Sequence, residues 1–152
     1  MKILIVEDDF DKRERIRNHV IDTLSPNVEI IEKESLRSGL RALVETADGF
    51  DLVLLDMSMP SFDITGDERL GGEPESFAGD EIMAQMKLRG LNSPVVVITQ
   101  YKSFAKGAVG LEDLEREFSA HYSEFFQGVI YYNSALERWK IDLSDYLVKL
   151  KK

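Results

Sequence analysis

Apolar residues along this chain fall into two alternating patterns. Short uninterrupted aliphatic runs, Ile3-Leu4-Ile5-Val6, Leu52-Val53-Leu54-Leu55 and Val95-Val96-Val97-Ile98, are separated by stretches in which apolar residues recur every three or four positions. The runs predict strands over 2–6, 52–55 and 95–98, with two more over 28–32 and 129–132. The recurring sets predict helices. Ile16, Val20 and Leu24 form one apolar stripe, ended by Ser25-Pro26-Asn27. Leu36, Leu40 and Leu43 form a second, opened by Ser35 and closed by Asp48-Gly49. A third helix is expected over about 80–88, and an acidic one over about 111–127. A last helix carries Leu136, Trp139, Leu143, Tyr146, Leu147 and Leu150, with its start left open between 135 and 139.

Strands that lack polar alternation belong in a parallel sheet covered on both faces. The order β-α repeated five times therefore predicts an α/β, flavodoxin-like, doubly wound (βα)5 three-layer sandwich with five parallel strands. We expect a single domain over 1–152, with an insertion loop at about 61–78 that carries three glycines.

Composition narrows the chemistry. The chain has 152 residues, net charge −9 and no cysteine. Disulfides, thiolate metal sites and a cysteine nucleophile are excluded, and a polyanion repels phosphate backbones, so direct nucleic-acid binding is not expected. The opening "MKILIVEDD" is too short for a signal peptide, and no apolar run approaches the length of a membrane span. Cytoplasmic localisation without a membrane partner is the expectation.

In an open parallel sheet, ligands gather at the carboxyl ends of the strands, near the switch in strand order. The residues placed there are Glu7 and Asp8, Asp56, and Thr99. Clustered carboxylates repel one another, and a hard divalent cation with oxygen ligands relieves that repulsion. Asp8 and Asp56 can each give Mg²⁺ one oxygen, and a backbone carbonyl just past Asp56 another. A carboxylate held in this way can attack phosphorus. Thr99 can hydrogen-bond a phosphoryl oxygen.

These residues resemble the receiver domains of two-component response regulators. "ILIVEDD" is similar to that family's first strand with its acidic pair, "LVLLDMSMP" to the strand bearing the phosphoacceptor, and "PVVVIT" to the fourth strand with its hydroxyl residue. The resemblance implies that Asp56 is the phosphoacceptor, Glu7, Asp8, Asp56 and the Ser58 backbone carbonyl the Mg²⁺ ligands, and Thr99 the switch hydroxyl. It also implies partners: a histidine kinase or phosphotransfer protein as donor, and a downstream protein target. The role is a signalling phosphoacceptor, not a turnover enzyme.

Three departures from the family pattern stand out. Its fifth strand ends in a lysine, where this chain has Tyr132-Asn133; Lys102 is the substitute the sequence suggests. Gln100 follows Thr99 in place of a small residue, and is expected to control access to the phosphoryl group. Gly79 follows Pro60 by 19 residues, and the segment between Thr99 and the fifth strand is also long. These departures keep two alternatives open: a degenerate receiver that binds partners without phosphate, and a Mg²⁺-dependent aspartyl-phosphate hydrolase. Ser58 stands where such a hydrolase places a second aspartate, which weighs against the last.

Overall fold

The computed structural model describes residues 1–60, 77–101, 103–104 and 109–151. Strands β1 (Lys2–Val6), β2 (Glu29–Lys33), β3 (Leu52–Leu55) and β4 (Val95–Thr99) lie in one parallel sheet. Two short strands, β5 (Ser103–Phe104) and β6 (Val109–Gly110), pair antiparallel apart from it. The strand that completes the main sheet is β7 (Phe126–Tyr131), and the order is β2-β1-β3-β4-β7. Chain order reverses between β1 and β3, so the switch point of the doubly wound fold falls between these two strands.

Helices α1 (Phe10–Leu24) and α5 (Arg138–Leu150) cover one face. Ile16, Val20, Leu24, Trp139, Leu143 and Leu147 meet Ile3, Ile5, Leu54, Val96 and Ile98 there. Helices α2 (Leu36–Glu45), α3 (Ala78–Arg89) and α4 (Leu111–His121) contribute to the core of the other. Leu43, Ile82, Met83, Leu114 and Phe118 pack against Leu4, Val6, Val53, Leu55 and Val97. Alternate residues of each strand thus feed two separate apolar layers, which is why the runs show no polar alternation.

Side-chain caps fix the starts of two helices. Asp9 caps α1 by accepting the Lys12 N–H, and Ser35 caps α2 in a reciprocal pair with Ser38. The fourth helix departs from expectation: it ends at His121 rather than near 127. The sheet claims the residues beyond, since Val95 N–H donates to the Phe125 carbonyl and Val95 pairs with Phe126. The fifth strand of the sheet accordingly starts three residues earlier than expected and ends at Tyr131. The long segment after Thr99 holds β5 and β6. Of the expected insertion, residues 61–76 lie outside those described, as does Lys102.

Candidate functional site

The acids converge as expected. One carboxylate oxygen from each of Glu7, Asp8 and Asp56 lies within 4.8 Å of the others. Glu7 and Asp8 directly follow β1, and Asp56 directly follows β3, its neighbour in the sheet, so the switch point brings them together. Glu7 and Asp56 are buried, whereas Asp8 is exposed. Asp56 is fixed on both sides of its peptide unit. Its N–H donates to the Val6 carbonyl at 3.1 Å, and its Oδ1 accepts the Met57 N–H at 2.8 Å.

Gly79 makes this placement possible. Its N–H donates to the Met57 carbonyl at 3.1 Å, and a Cβ there would lie 2.7 Å from the Asp56 carbonyl oxygen. The start of α3 therefore presses on the acceptor loop at a distance that only glycine permits. Ser58 is half-buried between Met57 and Met59, both fully buried.

Thr99 ends β4, fully buried. Its Oγ1 accepts the Tyr101 N–H at 3.2 Å, which leaves its own proton to donate. Gln100 follows it and is exposed. Tyr132, at the place where the sequence pattern lacks a lysine, is buried and leans on Trp139 with ring centroids 5.0 Å apart. Both rings are buried in the apolar cluster on the α1–α5 face of the sheet. His121 is exposed, whereas His19 is half-buried, with Nε2 2.8 Å from Ser144 Oγ.

Sequence reasoning missed Lys12. This residue, the third of α1, is buried, and its Nζ lies 2.5 Å from Glu7 Oε1 and 3.2 Å from Asp56 Oδ1. It also donates to the Ile98 carbonyl at 2.9 Å. A signal was available: a cation in the first turn of a helix opposes the helix dipole, and needs acids to hold it there.

Electrostatics record an excess of negative charge. Burial is the largest influence on Glu7 and pushes its pKa up; Lys12 pulls it down without reversing the shift, and the charge of Asp56 adds to the rise. Partial burial and Asp56 likewise raise the pKa of Asp8. Burial works against the Lys12 charge, but Asp56 and then Glu7 outweigh it and raise its pKa. Three carboxylates facing one ammonium leave a deficit that suits a divalent cation. The donor set fits Mg²⁺, being all oxygen.

Five parallel strands in this order, with helices on both faces and acids at the switch point, make the fold that of response-regulator receiver domains. The resemblance seen in the sequence motifs holds at that level. In the CheX-CheY-BeF3-Mg+2 complex from Borrelia burgdorferi, one chain aligns with a TM-score of 0.65 at 15% identity, covering 98% of this chain and 89% of that one. The Mn(2+)-bound form of response regulator Rcp1 aligns with a TM-score of 0.62 at 20% identity, covering 95% and 89%. Among curated proteins, the Detocs response regulatory protein DtcB of Enterobacter cloacae (strain JD6301) is 27% identical over 152 residues, 99% of this chain and 100% of that one. No family model matches the chain. Among the described residues no helix is long and apolar enough to cross a membrane.

Proposed function

We propose that the chain is a cytoplasmic receiver unit that accepts a phosphoryl group on Asp56 and thereby changes its affinity for a downstream protein. The observation that carries this reading is the meeting of Glu7, Asp8 and Asp56 at the switch point, with Thr99 closing the neighbouring strand. The donor is a phosphohistidine on a histidine kinase or phosphotransfer protein. Met57 N–H and Lys12 Nζ both contact Oδ1, so Oδ2 is the oxygen that attacks phosphorus. The P–N bond breaks, its electron pair stays on the imidazole, and an Oδ2–P bond forms.

Asp8, Asp56, Glu7 and the Ser58 carbonyl are the candidate Mg²⁺ ligands; the ion supplies positive charge for the transferring group. The two aligned structures, one with Mn²⁺ and one with BeF3 and Mg²⁺, support this assignment by analogy. Thr99 turns its hydroxyl to donate to a phosphoryl oxygen. Gln100, at the exposed rim, slows the approach of water. Gln100→Ala is expected to shorten the lifetime of the acyl phosphate; equal dephosphorylation rates would end that role.

The whole reading is tested by incubating the protein with Mg²⁺ and acetyl phosphate, and weighing it by mass spectrometry. A phosphoryl adduct absent from Asp56→Asn is the expected outcome. A second reading, a degenerate receiver that works without phosphate, draws on Lys12, which already bridges Glu7 and Asp56 as a built-in cation. Failure to bind either Mg²⁺ or beryllofluoride would select it. Rapid multiple turnover of acetyl phosphate would select the hydrolase instead.

A further inference from the structure

Lys12 has more than a neutralising position. Its three ammonium protons face three acceptors, Glu7 Oε1, the Ile98 carbonyl and Asp56 Oδ1, which exhausts its donors. These acceptors come from the ends of three adjacent strands, β1, β4 and β3. The Tyr132 ring lies 5.6 Å from Nζ, so the ammonium also faces an aromatic surface. Tyr132 in turn rests on Trp139 of α5.

Phosphoryl transfer removes the charge from one of those acceptors. Once Oδ2 is bonded to phosphorus, Oδ1 becomes the carbonyl oxygen of a mixed anhydride, and a phosphoryl group with about two negative charges stands beside it. An ammonium 3.2 Å from Oδ1 and anchored by Glu7 and Ile98 is the cation placed to meet that group. We infer that Lys12, reaching in from the first turn of α1, clamps the phosphoryl group on Asp56 and carries its arrival to Tyr132 and Trp139. No covalent bond changes in this step; the ammonium exchanges one acceptor oxygen for another. The inference rests on the phosphoacceptor reading, and supplies the positive charge that Tyr132-Asn133 does not.

The test uses the whole chain saturated with Mg²⁺ and titrated with beryllofluoride, followed by ¹⁹F NMR for binding. Fluorescence of Trp139, the sole tryptophan, reports transmission. Lys12→Met is expected to bind Mg²⁺ at least as tightly as the native protein, yet to need tenfold or more beryllofluoride for half-saturation. Lys12→Arg should recover part of that loss. A native protein that binds Mg²⁺ but no beryllofluoride overturns the phosphoacceptor reading, and this inference with it. Beryllofluoride binding by Lys12→Met within twofold of native overturns the Lys12 role alone. So does a parallel loss of Mg²⁺ and beryllofluoride, which marks a merely structural lysine. Should Lys12→Met not fold, the ¹⁵Nζ resonance of Lys12 in the native protein decides. It must move when beryllofluoride joins the Mg²⁺-saturated protein, and an unmoved resonance overturns the inference.

Discussion

Lys12 and Arg13 are consecutive residues of α1, both basic and both buried, yet they serve two different regions. Lys12 reaches the pocket between β1, β3 and β4, where Glu7 and Asp56 are as buried as it is. Arg13 turns to the β2 edge of the sheet. Its Nη1 donates to the Glu7 carbonyl at 2.8 Å, and its other nitrogens lie 3.4 Å from Glu32 and 3.1 Å from Glu34. The Glu34 side chain is 51% exposed. One lysine therefore neutralises charge that water cannot reach, while its neighbour adds to charge pairs that water already screens. Local sequence makes them look alike; the burial of their partners separates them.

The largest expected effect is on the pocket. Without metal, Lys12→Met should lower the unfolding free energy by about 3 kcal/mol, because buried carboxylates lose their counter-ion. Added Mg²⁺ should restore most of that stability by binding the folded state. Urea unfolding with and without Mg²⁺ measures both, and a loss under about 1 kcal/mol would erase the contrast. Arg13→Met comes next, at about 1 kcal/mol, and Mg²⁺ should not repair it. Arg17, whose Nε lies 3.6 Å from Glu32 and whose side chain is 39% exposed, should matter least; Arg17→Met is expected to fall within about 0.5 kcal/mol of native. Finally, unfolding in 1 M NaCl should shrink the Arg13 and Arg17 effects and leave the Lys12 effect largely intact. Equal shrinkage would mean that the pocket is wetter than its geometry implies.

Much of this architecture was legible because burial on both faces writes long apolar runs. Ile3 to Val6, Leu52 to Leu55 and Val95 to Ile98 could only be central strands, and the acids that follow two of them lie where the topology places a site. The ends of α4 and β7 were not legible, since Phe125 and Phe126 continue an apolar spacing that suits a helix until β4 recruits them as backbone partners. Lys12 escaped for a different reason. A search for the missing charge looked along the fifth strand and just past Thr99, where neighbours in sequence suggested a substitute. The pocket instead takes its cation from an element 86 residues away from its Ile98 partner, a proximity created only by folding.

The Lys12 ammonium stitches together the tips of three strands from a helix that lies on the outer face of the sheet. Loosening the first turn of α1 would thus disturb the acidic pocket as well as fray a helix.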